Sequence, residues 1–264
     1  MNKTFDIKRF GNVLRHDAMS YLQNLGWTLV VLLAIPILIW FILYINMDDI
    51  EAVVNYGRYG FLLVLAIIAM ILAPSRLYKN ANDSRKGIQF AMLPASNMEK
   101  FLSMSIYCLV VTPILYLVGA VAIDCILTLI PGKNPYGGFV FGEIFDTIIV
   151  MVELTDDLDL SPLPFYQAFL LLSYVSIFMF TNMIFKKRKV SKTIGILALI
   201  GIIFMVIFIR VILNYENIYE YDTIPDDTQE VLVKCAYYGY YVFNIILTSV
   251  MLYLTYYKIR KQKY

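Results

Sequence analysis

Along the chain, long apolar stretches alternate with short polar ones. Residues 27–45, 59–74, 101–130, 165–185, 193–213 and 231–257 are almost wholly apolar. Most approach or exceed the ~20 residues that a helix needs to cross hydrocarbon ~30 Å thick. The pattern predicts six transmembrane helices. Pro36 lies inside the first and Pro113 inside the third, interruptions that neighbouring spans can accommodate. The third stretch is longer than a bilayer requires at ~1.5 Å per residue, which predicts tilt or a helix that begins outside the hydrocarbon.

Two segments carry a different pattern. In residues 5–25, Phe10, Leu14, Tyr21, Leu22 and Leu25 recur at helical spacing, with Lys8, Arg9, Asn12, Arg15 and His16 between them. This predicts a basic amphipathic helix lying in the membrane interface. It is either an elbow that feeds the first span and touches a cytoplasmic partner, or a plain anchor. His16, the sole histidine, reads as a solvated polar-face residue. Trp27 and Trp40 stand where indoles can sit near the interfaces. In 138–153, Phe141, Ile144, Phe145, Ile148 and Val152 share a helical face, with Glu143, Asp146 and Glu153 off it. Carboxylates that dense are costly in lipid, so this is a surface or re-entrant helix rather than a span.

Composition narrows the class. Hydrophobic residues make up 60% and charged residues 16%, and the mean hydropathy is +0.68, well away from soluble domains. No segment is large enough to hold a soluble core of its own. The fold class is therefore all-α: one polytopic transmembrane domain over residues 1–264. An elbow helix occupies 1–26, six spans lie within 27–257, and a basic tail follows at 258–264.

Charge sets the orientation. Most of the 22 Lys and Arg fall in the N-terminal helix, the 75–103 loop, the KKRKVSK turn after the fourth span and the KIRKQKY tail. Most carboxylates lie in the intervening segments. The positive-inside rule then puts both termini in the cytoplasm. No cleavable signal peptide is visible, and the setting expected is a bacterial inner membrane. Cys108, Cys125 and Cys235 lack metal-type spacing and read as apolar packing residues.

The most informative stretch is the cytoplasmic loop Ser75–Ser103, SRLYKNANDSRKGIQFAMLPASNMEKFLS. Ser96 and Glu99 have the spacing of a capping box, in which each side chain bonds the other residue's backbone N–H. Pro94 disfavours helix at Leu93. One short helix, 83–92, should end there and a second should start at Asn97 and enter the third span. Such a projecting elbow, mixing charge with apolar groups, can dock in a groove on another protein.

These residues resemble the membrane permeases of type-2 ABC exporters. In that family the loop between the second and third spans carries a charged helix, a glycine, apolar residues and then Leu-Pro-x-Ser. Gly87, Leu93, Pro94 and Ser96 stand in those places here. The family also has an N-terminal elbow helix and six spans with both ends in the cytoplasm. Its long outer segment precedes the last span, whereas here the longest outer segment follows the third. The resemblance implies a transporter subunit without a cofactor of its own. ATP would be bound by a separate ATPase subunit, which would grip the loop through Arg85, Lys86, Gly87, Phe90, Leu93, Pro94, Ser96 and Glu99. A second permease copy or a paralogue would complete the pathway. The partners are these chains and the lipid bilayer, with no nucleic acid.

Other functions find less support. No G-x-x-x-x-G-K-[ST] motif occurs, so ATP hydrolysis by that route is excluded. A lone histidine outside the spans argues against an intramembrane metalloprotease, and one carboxylate in the spans against an aspartyl site. Ser173, Ser176 and Ser249 have no base nearby in the pattern. The chain is not expected to be an enzyme. The alternative is a non-transport scaffold, assembly factor or sensor, for which the acidic, tyrosine-rich 214–230 loop offers a surface. Two charges fall within the predicted spans, Asp124 and Arg210, at similar depths near the outer ends of theirs. Such residues usually find a partner or water: either these two pair across the helices, or Arg210 snorkels to the outer headgroups and Asp124 faces water.

Overall fold

The computed structural model describes residues 5–45, 54–79, 81, 87–131, 135–136, 138–142, 144–145, 163–216 and 226–261. The elements are helical throughout: α1 (Ile7–Asn24), α2 (Gly26–Ile45), α3 (Val54–Leu77), α4 (Gly87–Met92), α5 (Asn97–Ile106), a π-turn at Tyr107–Val111, α6 (Thr112–Thr128), α7 (Leu163–Ile184), α8 (Lys189–Glu216) and α9 (Asp226–Lys261). Five runs are long and apolar enough to cross a bilayer: within α2, α3, the continuous α5–α6 rod, α8 and α9. In α7, of 22 residues, the stretch Leu170–Ile184 is a shorter apolar helix. The protein is an all-α, multi-pass membrane protein. Its helices match the predicted stretches, with α3, α8 and α9 extending beyond them.

The third stretch runs as one rod because the chain absorbs Pro113 rather than breaking at it. Proline has no N–H to offer the carbonyl four residues back, and its ring would clash there. The backbone answers by widening one turn. The Thr112 N–H reaches back five residues to the Tyr107 carbonyl, and Thr112 Oγ1 donates to the same oxygen at 2.7 Å. Such π-bulges concentrate at functional sites.

Packing follows the small residues. Ala66, Ala69 and Ala73 of α3 and Ala120 of α6 are buried in the main core, with Tyr116, Met104, Met179 and Met183 filling the space between helices. Small side chains let transmembrane backbones approach closely. At Gly119 a Cβ would come within 3.0 Å of Leu33 Cδ1, so α2 and α6 touch there. α3 packs on both α6 and α7, and α7 makes the most extensive contact of all, with α9. Ser173 Oγ donates to Asn244 Oδ1 at 3.1 Å across that pair. α8 is different: it touches α7 and α3, and from Leu199 to Ile207 every side chain is exposed. In a membrane this surface faces lipid or another chain.

Three expectations need adjustment. Of the apolar face read in the first helix, Tyr21 and Leu25 are buried in the bundle, Phe10 and Leu14 are half-buried and Leu22 is exposed, and Val13 and Asp17 are buried beside them. Trp40 is buried in a small core with Leu127 and Tyr136, whereas Trp27 is exposed. Among the described residues of 138–145, Val140 is fully buried and Ile144 half-buried, whereas Phe141 and Phe145 are exposed. Residue 143 and residues 146–153 of that segment, with Glu143, Asp146, Ile148, Val152 and Glu153, lie outside the described residues.

Candidate functional site

The root of the 75–103 loop gathers buried polar contacts from several helices. It is built on the capping box that the sequence predicts. Ser96 Oγ accepts from the Glu99 N–H at 3.2 Å, and Glu99 Oε2 accepts from the Ser96 N–H at 2.8 Å. Pro94 sits in the bend at 93–95, so α4 stops and α5 starts afresh.

Glu99 does more than cap its own helix. Its other oxygen, Oε1, accepts from the Asp6 N–H at 2.9 Å and from Arg9 Nη2 at 3.2 Å. Asp6 is itself the N-cap of α1, accepting from the N–H groups of Lys8 and Arg9. One fully buried carboxylate thus joins the first turns of α1 and α5. Carboxylates are favoured beside helix N-termini, where free N–H groups and the helix dipole both attract negative charge.

A second carboxylate lies deeper. Asp17 Oδ2 accepts from the Ser103 hydroxyl at 2.6 Å and from the Tyr78 hydroxyl at 2.8 Å. Its Oδ1 lies 3.2 Å from His16 Nδ1. Burial above all, and then the neighbouring Asp17 carboxylate, push the Tyr78 hydroxyl well above the ordinary tyrosine range. It therefore stays neutral and keeps donating. The Tyr78 backbone carbonyl is gripped from the opposite side by Asn182 Nδ2 and by Lys189 Nζ, each at 3.4 Å, and Lys189 also reaches the Lys79 carbonyl at 2.9 Å. A cation at the end of α3 suits the negative end of the helix dipole. Tyr78 is thus a hub, bonded to α1 and, through Asp17, to α5 on one side, and to α7 and α8 on the other.

The loop rests on this hub. The Phe90 ring meets Tyr78 edge-on at 6.1 Å, and the Phe90 carbonyl accepts from Lys100 Nζ at 2.8 Å. Phe90 and Leu93, with His16, Asp17, Ser20 and Tyr78, line a polar pocket of about 260 Å³ between α1 and the loop. Of the residues expected to meet an ATPase, Gly87 is buried at the start of α4, Phe90 and Leu93 are half-buried, Pro94 is exposed, and Ser96 and Glu99 are buried in the cap. Arg85 and Lys86 lie outside the described residues.

The expected Asp124–Arg210 pair does not form. The charge partner of Asp124 is Arg58, with Nε 3.5 Å from Oδ1. Both residues are buried, whereas Arg210 is exposed on α8. The pattern misled because Arg58 borders the polar 47–58 turn and reads as part of it. In fact α3 begins at Val54, one turn earlier, which carries Arg58 into the bundle beside α6.

Sequence reasoning also missed Asp17, Tyr78 and Ser103. A signal existed for Asp17: it stands four residues from both Val13 and Tyr21, so any face that buries those two buries it as well. Nothing in the local pattern marks Tyr78 or Ser103, whose roles depend on contacts distant in sequence. No family model, no curated protein and no solved structure matches this chain.

Proposed function

We propose that this chain is the permease subunit of an ATP-driven exporter of the type-2 ABC class, resident in a bacterial inner membrane. In this reading the 75–103 loop is the handle, and a separate ATPase is the motor. The observation that carries it is the way the loop is rooted. A loop fixed at one point would absorb a push by bending. This one is tied through Glu99 to α1, and through the Tyr78–Asp17 hub to α1, α5, α7 and α8, so displacement of the loop reaches several spans at once. Coupling requires only that ATP binding favour one arrangement of the handle over another. The ligand-binding chemistry for ATP belongs to the partner, and a second permease copy or a paralogue completes the pathway.

The test is site-specific photocrosslinking. A photoreactive residue at Phe90 in the tagged chain should capture a Walker-type ATPase in native membranes, and Leu93→Asp should abolish the capture. Capture of an envelope or regulatory protein, with no ATP-hydrolysing chain, would instead favour the scaffold or sensor reading.

A further inference from the structure

α1 carries a polar stripe that the loop root leaves unused. His16, Ser20, Gln23 and Asn24 recur at i, i+4, i+7 and i+8, the spacing of one helical face. On an interfacial helix such a stripe is expected to face water. Here it walls the pocket of about 260 Å³, with Phe90 and Leu93 of the loop among the other lining residues. His16 and Gln23 are exposed, whereas Asp17 and Tyr78, which also line the pocket, are buried. Asp17 is 4% exposed, and among the described residues it pairs with no lysine or arginine. Two hydroxyls donate to its Oδ2, while Oδ1 meets the His16 ring alone. The carboxylate is therefore hydrogen-bonded but has no fixed countercharge. Asn24 spends its Nδ2 on the Ser20 carbonyl at 2.9 Å, which leaves its Oδ1 as an acceptor.

We propose that this pocket binds a primary ammonium group, held against Asp17. Each property of the walls selects that chemistry. A carboxylate with no lysine or arginine beside it repels anions and favours a cation that supplies the missing charge. Ser20, Gln23 and Asn24 offer oxygens, and an alkylammonium has three N–H donors and no acceptor to waste on them. The Phe90 and Tyr78 rings add faces on which a cation can rest. They meet edge-on at 6.1 Å, so they do not enclose a quaternary ammonium as an aromatic cage does. The volume lies below the ~300–1,000 Å³ of drug-sized sites, which suits a small head group. Two sources share this chemistry: a free amine from the cytoplasm, and the ethanolamine head group of a lipid. Either would bridge α1 to the loop through Asp17 and Phe90. Its meaning as control of a transport handle rests on the permease reading; the binding itself does not.

The test is hydrogen exchange on the purified full-length chain in phosphatidylcholine nanodiscs, whose quaternary head groups cannot compete. Ethylammonium chloride is the probe, with tetramethylammonium and potassium chloride at equal ionic strength as references. Ethylammonium should slow exchange in α4 by about tenfold at ten times its dissociation constant and leave α9 unchanged, and the references should do neither. Asp17→Asn keeps the shape and removes the charge, and the difference made by ethylammonium should vanish. Should that variant fail to fold, Ser20→Leu, which leaves Asp17 in place and fills the pocket from a half-buried position, should abolish the difference as well. No slowing in the natural chain, equal slowing by tetramethylammonium, or slowing that survives either substitution would overturn the site. Replacing the lipid with phosphatidylethanolamine then separates the sources. A lipid head group in the pocket slows α4 before any amine is added and removes the response to ethylammonium, whereas an undiminished response assigns the site to a free amine. No ATPase enters this measurement, so its failure would leave the permease reading intact, and failure to capture an ATPase would leave the ammonium site intact.

Discussion

At the loop end of the bundle, Asp17 and Glu99 are held by hydroxyls, backbone N–H groups and one guanidinium. At the far end, Asp124 is held by a buried arginine and a single backbone N–H. Both arrangements make a carboxylate tolerable out of water, yet they distribute the load differently. The loop end spreads each negative charge over donors from different helices, so removing one leaves others. The far end concentrates it in one partner, so the cluster stands or falls with the pair. The first arrangement keeps a carboxylate partnered when one donor is lost, and the second leaves it without its countercharge.

The comparison breaks most visibly at Arg58. Arg58→Met leaves Asp124 as an uncompensated buried charge, which costs about 3–5 kcal/mol. The purified protein in detergent should show a large fall in thermal midpoint. Arg58→Met with Asp124→Leu removes both charges and should recover most of the loss. If the double variant is as unstable as the single one, the pair is not the source of the cost.

Glu99→Ala should come next. It leaves the Ser96 and Asp6 N–H groups and the Arg9 guanidinium without this acceptor, at about 2–3 kcal/mol after water reaches part of the site. The damage should be local: hydrogen exchange should quicken in the first turns of α1 and α5 and stay unchanged in α6 and α7. Uniform quickening would mean that the loop end is not the distributed root described above.

A smaller effect is expected at the hub. Tyr78→Phe deletes one of the donors to Asp17 while Ser103 remains, at about 1 kcal/mol. Its pH dependence has a definite sign. The Tyr78 hydroxyl is held well above the ordinary value of 10.0 in the folded protein. The unfolded chain therefore loses this proton first as pH rises. The stability advantage of the natural chain over Tyr78→Phe should be constant below about pH 10 and shrink above it. An advantage that grows with pH would reverse the assignment.

What was legible in the sequence divides along the same line. Span positions and the capping box follow from local rules of hydropathy and spacing, so Ser96, Glu99 and Pro94 can be placed from a window of a few residues. The π-turn at Pro113 preserves a rod that the sequence leaves as an interruption, because the widened turn depends on where the surrounding helices hold it. Asp17 meeting Tyr78 and Ser103, and Arg58 meeting Asp124, are contacts between distant segments that no window contains. The helix start at Val54 decided the second case: a boundary one turn earlier turns a loop cation into a buried one.

Arg210 makes the sharpest small test of that lesson. Depth alone made it the natural partner for Asp124, since both lie near the outer ends of their spans. Depth is only one coordinate, however, and a helix also has a facing direction. α6 turns Asp124 toward α3, whereas Arg210 is exposed on a helix that touches α7 and α3. A long arginine side chain so near a helix end can carry its charge to the headgroups. Arg210→Gln should therefore change stability by no more than about 0.5 kcal/mol, as is usual for exposed positions. A loss close to that of Arg58→Met would mean that Arg210, not Arg58, neutralises Asp124, and the contrast between the two ends would have to be redrawn around a different pair.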